Sequence, residues 1–200
     1  MSSQLLKEIE DYQNTYYDNN NKNTIFKNTQ KNSLASSISS KFDTNMLLTM
    51  MCYPIINTNI VIIDYSVFKL FANPNNYEII TNHILGEFKK IIQIYNNFEC
   101  HINVNTFTIS AAERYKSMIK IFCSKSLASD TPYSDKISKL IIYYPPSMIQ
   151  SISKVFSPFI NPNVKEKVII YDKTSSDLNW NALSKFKEEK PDLIKEFIST

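Results

Sequence analysis

Glycine is nearly absent: Gly86 is the single one in 200 residues. Loops that cradle a phosphate need several glycines, because only glycine takes positive φ freely and lets the backbone come close to the ligand. Walker-type nucleotide loops and the glycine-rich turn of dinucleotide folds are therefore excluded. Histidine is almost as scarce, at His83 and His101, and neither H-E-x-x-H nor G-x-S-x-G occurs. Zinc-protease and serine-hydrolase chemistry thus has no anchor. His83 reads as an exposed helix residue and His101 as a residue on the polar face of a strand. Acidic residues are scattered singly apart from Glu188-Glu189, a pair read as a solvated helix face. The expectation is a protein that is not an enzyme, with no catalytic residue, no metal ligand set and no cofactor.

Arginine occurs once, as Arg114, and the chain leans instead on Asn, Ile, Lys and Tyr. The formal charge is +3, from 22 basic against 19 acidic residues, and no long run of like charges forms a nucleic-acid arm, so nucleic acid is not an expected partner. Cys52, Cys100 and Cys123 are odd in number and lack metal-ligand spacing, which fits reduced thiols in a core and a cytoplasmic compartment. No secretory leader is recognised at the start. No apolar run approaches the roughly 18 residues of a membrane span, so a membrane surface is the nearest the chain is expected to come to a bilayer.

What is present divides at about residue 42. Residues 1–42 read as a polar extension rich in Asn, Ser and Lys, with Leu5, Leu6, Ile9, Tyr12 and Tyr16 spaced for one amphipathic helix over 3–17. The stretch from 18 to 42 has too few apolar residues to show a buried face and reads as linker or disorder. Residues 43–200 alternate strand and helix patterns. "MLLTMMCY" is taken as a helix, "NIVIIDY" as a buried strand, and Tyr77, Ile80, Ile84, Phe88, Ile91 and Tyr95 form one stripe of a long helix. "FECHINVN" alternates as a strand; Ser110, with Glu113 in a capping box, opens a second long helix. "KLIIYY" and "KVIIYD" are strands, with a helix between them opened by Pro146. Leu178, Leu183, Phe186, Ile194 and Phe197 suggest terminal helices broken near Pro191. Such alternation predicts an α/β fold with a mostly parallel sheet flanked by helices.

The block "KLIIYYP", "SMIQSISKVF", "SPFINP", "KVIIYD" resembles the CRAL-TRIO family of lipid-binding domains, and within it the members like the yeast phosphatidylinositol transfer protein. There an aliphatic strand ends in Pro, an amphipathic helix comes next, a Pro-Phe-aliphatic step closes it and a Lys introduces the next strand. The resemblance extends back through "FECHINVNTFTISAAERYKSMIKIF", where Asn105 stands near a usual Asp, and covers about residues 55–175. Two family features have no counterpart: the preceding small helical domain, and the Pro-x-x-x-Gly-Gly ending, absent from "LSKFKEEKPDLIKEFIST".

This resemblance implies a CRAL-TRIO-like domain in which residues 146–160 form a lid over an apolar pocket, with Met148, Ile152, Val155, Phe156 and Phe159 facing it. It also implies that Asp135 and Lys167 are headgroup candidates. The implied function is non-enzymatic binding, or transfer, of a hydrophobic ligand such as a phospholipid (phosphatidylinositol among them) or an isoprenoid, with a membrane surface as a partner and peripheral membrane placement. Beside it stands a protein-interaction module of the same fold, with a protein partner and no lipid.

Overall fold

The computed structural model describes residues 2–188. Two helices come first, α1 (Ser2–Asn20) and α2 (Lys27–Lys41), then α3 (Thr44–Met51), β1 (Cys52–Pro54), β2 (Ile60–Asp64), α4 (Tyr65–Phe71) and α5 (Tyr77–Tyr95). The chain continues through β3 (Phe98–Asn103), α6 (Ile109–Ala128), α7 (Tyr133–Lys136) and β4 (Ile137–Tyr143). It ends with α8 (Ile149–Phe156), α9 (Pro162–Lys165), β5 (Val168–Ile170) and α10 (Lys173–Glu188). The strands make one five-stranded sheet in the order β1-β2-β3-β4-β5, with β1 antiparallel to β2 and the other neighbours parallel. The α/β class and the mostly parallel sheet implied by the alternation are what the chain adopts.

Parallel neighbours that are also consecutive in sequence need a crossover each, and right-handed crossovers put the connecting helices on one face of the sheet. Accordingly α5 packs on α6, and α6 on α8. Val61, Phe98 and Cys100 meet Ile80, Ile84, Phe88 and Ile91 of α5 in the main core, with Leu140 packed against it. Phe88 stacks on Phe98 at 4.4 Å between ring centroids.

Alternation turns Glu99, His101 and Asn103 to the opposite face. A register shift beside Phe98 lets Ile137 serve the helix-covered face, while Lys139, Ile141 and Tyr143 serve the other. There Tyr143 packs against Trp180 of α10 at 5.1 Å.

Several expectations need correction. The stretch from 18 to 42 is not linker: α2 buries Leu34, Ala35 and Ile38, and α1 buries Ile9. Its apolar stripe is hidden among serines because a helix that packs closely needs few large side chains. Arg114 holds it, donating from Nε to Asn32 Oδ1 at 2.7 Å and from Nη2 to the carbonyls of Lys31 and Ala72. These two helices give the chain a helical N-terminal part after all. The cap of α6 is Thr108, whose side chain accepts from Ala111 N–H, and not Ser110. Helix α4 was hidden in the run from Tyr65 to Phe71, directly behind the strand, where Asp64 ends β2 and accepts from Ser66 N–H. Strand positions shift by a few residues, and the helix expected over 146–160 is regular only from 149 to 156. Pro191, Ile194 and Phe197 lie outside the described residues.

Candidate functional site

The β4–α8–β5 crossover is built by its prolines. β4 ends at Tyr143, and Tyr144 turns the chain with φ 52° while its N–H donates to Ser176 Oγ of α10 at 2.9 Å. Pro145 and Pro146 come next, and the Pro146 carbonyl accepts from Ile149 N–H, so Pro146 precedes the helix by a turn. Pro158 then prevents α8 from continuing, and the chain turns through Phe159 to α9.

Along α8 the apolar residues Ile149, Ile152, Val155 and Phe156 share one side. Ile152 is 3% exposed, whereas Val155, Phe156 and Phe159 are half-buried and Met148 is 53% exposed. The other side carries Gln150, Ser151, Ser153 and Lys154, with no acid. Of the five lid residues named from sequence, the structure thus brings Ile152 fully against the body and leaves Met148 outside.

Beneath the helix runs an aromatic column that the sequence did not announce. Phe156 lies 6.4 Å from Phe107, Phe107 lies 4.8 Å edge-on to Tyr65, and Tyr65 lies 6.2 Å from Tyr115. These rings come from α8, the β3–α6 connection, α4 and α6, so no spacing within one element could reveal them. At the inner end the Tyr115 hydroxyl is buried, and no group among the described residues hydrogen-bonds it. Burial and the neighbouring tyrosines raise its pKa, only partly offset by Arg114, so it remains a protonated donor.

The headgroup candidates meet only through the backbone. Lys167 Nζ donates to the carbonyl of Ser134 at 2.9 Å and reaches that of Asp135 at 3.5 Å, tying the start of β5 to α7. Asp135 itself is exposed.

On the opposite face a polar network joins β3 and β4. Lys139 Nζ donates to Glu99 Oε1 at 2.9 Å, Glu99 Oε2 lies 3.3 Å from His101 Nε2, and His101 Nδ1 lies 2.8 Å from the Tyr143 hydroxyl. Burial holds His101 below its usual pKa against the pull of Glu99, so the ring is neutral, receiving from Tyr143 and donating to Glu99. His101 thus does lie on the strand's polar face, but buried, and His83 binds the Cys52 carbonyl at 3.0 Å. Burial also raises the Cys52 thiol, and takes that of Cys100 to about 12, which keeps both protonated and poor as nucleophiles.

Elsewhere, a polar cleft of about 720 Å³ separates α2 from the 73–75 turn and is lined by Asn32, Ser33, Ser36 and Asn73 among others. Among the described residues no group of three or more His, Cys, Asp or Glu is placed to hold a metal ion, and no helix is long and apolar enough to cross a membrane. No curated protein matches the chain. Residues 102–191, from the end of β3 onward and including the whole proline-bounded crossover, match the model of the CRAL/TRIO domain, and that is the family this chain is similar to.

Proposed function

We propose that the chain binds a lipophilic small molecule, without catalysis, between α8 and the aromatic column of Phe107, Tyr65 and Tyr115. The observation that carries this reading is a helix with a continuous apolar stripe of which only Ile152 is fully buried, set in the segment that matches the CRAL/TRIO domain. A helix that serves the core buries most of its stripe, as α5 does with Tyr77, Ile80, Ile84, Phe88 and Ile91. A chain that lifts Val155, Phe156 and Phe159 by a few ångströms gains about 0.8 kcal/mol for each ligand CH₂ it removes from water. The unpartnered Tyr115 hydroxyl is suited to one polar group of an otherwise apolar ligand, such as the ester or hydroxyl oxygen of a phospholipid or isoprenoid.

Extraction of the purified protein into organic solvent, followed by mass spectrometry, and uptake of a fluorescent fatty acid should both reveal a ligand. Tyr115→Phe should weaken uptake several-fold while leaving thermal stability equal or higher, because it removes a buried group without a partner. No extractable ligand together with no uptake would end the reading. Loss of uptake only in step with loss of folding would end the role of Tyr115.

A phosphoinositide cargo is the finer version, with Lys167 and Asp135 at the headgroup and a membrane as donor. The second reading, an interaction module with a protein partner and no ligand, is favoured by Lys167 itself, whose ammonium is engaged by the carbonyls of Ser134 and Asp135.

A further inference from the structure

The connection between α1 and α2 displays two large apolar side chains to water, Ile25 at 83% and Phe26 at 65% exposure. The turn that carries them is built, not slack. Asn23 Oδ1 accepts from the N–H groups of both Ile25 and Phe26, at 3.0 and 2.7 Å. Gln30 clasps the other side: its Oε1 accepts from Asn23 N–H at 2.8 Å and its Nε2 donates to the Asn21 carbonyl at 2.6 Å. Asn21 sits at φ 50°, a conformation that asparagine tolerates. The backbone is thus satisfied by its own polar side chains, and the apolar pair is left facing outward.

The charge around this tip is mostly positive. Between Asp18 and Asp43 the chain has four lysines, Lys22, Lys27, Lys31 and Lys41, and no acid. Lys22 and Lys27 are exposed beside the tip. Lys31 has its ammonium pKa lowered by partial burial and by the nearby charges of Lys27, Arg114 and Lys69, so these cations share one region of surface. Glu113, beside Arg114 on α6, is exposed.

The position of the tip agrees. Ser110 Oγ, in the first turn of α6, donates to Asn28 Oδ1 at 3.4 Å, and Lys69 Nζ donates to Thr106 Oγ1 at 2.8 Å. Both Ser110 and Thr106 come after the carboxyl end of β3, so the tip and its cations lie at the carboxyl edge of the parallel strands. That is also the edge from which the crossover into α8 departs and where Met148 is exposed.

We infer that the carboxyl edge of the sheet docks on an anionic lipid bilayer, with Ile25 and Phe26 inserted at the headgroup boundary and Lys22, Lys27, Lys31 and Lys69 facing the lipid phosphates and carboxylates. Apolar side chains beside a cluster in which cations outnumber acids match the interfacial zone of such a bilayer, where apolar burial and surface potential add. The inference does not depend on whether a ligand lies under α8.

Co-sedimentation of the full chain with phosphatidylcholine vesicles, with and without phosphatidylserine, tests it. Wild type should bind the serine-lipid vesicles and lose binding as salt is raised. Ile25→Ser with Phe26→Ser should lower that affinity by about tenfold or more, with an unchanged melting temperature because both side chains are exposed. Lys22→Glu with Lys27→Glu should remove the preference for anionic vesicles, by about fivefold per lysine. Fatty-acid uptake in the absence of vesicles should be unaffected by either pair, which separates this test from that of the ligand. Failure of wild type to bind either vesicle overturns the inference. Binding that survives the loss of Ile25 and Phe26 also overturns it, and would place the bilayer contact elsewhere on the chain.

Discussion

Helices α5 and α8 both lie on the layered face of the sheet and both read in sequence as apolar stripes, yet they are fixed in place to different degrees. α5 runs 19 residues and buries Tyr77, Ile80, Ile84, Leu85, Phe88 and Ile91, whereas α8 runs 8 residues and buries Ile152. Phe88 stands among Phe98, Phe122 and Tyr133; Phe156 has Phe107 at 6.4 Å. An apolar stripe therefore states only that a helix seeks a partner. How much of the stripe is covered separates a helix that forms the core from one that lies over it.

The comparison breaks most sharply under truncation. Phe88→Ala should destabilise by about 3–5 kcal/mol in denaturant unfolding, because it opens a cavity inside three neighbouring rings. Phe156→Ala should cost only about 1 kcal/mol, in proportion to its half-buried area, while fatty-acid uptake falls. Equal losses at the two positions would make α8 a core helix and remove the lid.

Acid provides a gentler contrast. Glu99 is pushed up by burial but more strongly down by hydrogen bonds from Lys139 and His101, so its carboxyl titrates below the usual value. His101 is held low by burial. For both groups a folded pKa below the unfolded one gives stability that is complete above the unfolded pKa and lost as pH falls through the folded one. Stability should therefore decline below about pH 6.5 through His101, and again below about pH 4.3 through Glu99. The decline should start in amide exchange of β3 and β4 before α5. α8, whose one charge is Lys154, should not respond on its own account. A pH-independent stability from 7 to 4 would contradict the network.

The smallest effect belongs to the strand-end lysine. Lys167→Ala should cost a few tenths of a kcal/mol, as for a partly exposed surface residue, and should leave fatty-acid uptake intact. If it also weakens binding to phosphoinositide vesicles, the headgroup version gains support; unchanged vesicle binding leaves Lys167 as a tie between β5 and α7.

Legibility in the sequence depends on where each signal lives. The stripe of α5 and the alternation of β3 are properties of single elements, and both were legible. α2 was not, because its contact surface is Leu34, Ala35 and Ile38 among serines, and its attachment depends on Arg114 some eighty residues away. α4 merged with β2 into one apolar run whose period cannot be read. At the site, the proline-bounded crossover was legible as a block of residue types in order. The aromatic column was not, since Phe107, Tyr65 and Tyr115 meet only when three separate elements fold together. The exposed pair Ile25 and Phe26 sat in a stretch read as linker, where an apolar residue carries no meaning until the turn around it is seen to be fixed.

Tyr144 links the end of β4 to Pro145, and its φ of 52° is one that an aromatic residue adopts at a cost of about 1–2 kcal/mol. The proline after it narrows its choices further. The bond to Ser176 and the packing of α10 hold it there. The turn that aims the chain toward α8 is thus pinned from the far face of the sheet, by a side chain of α10.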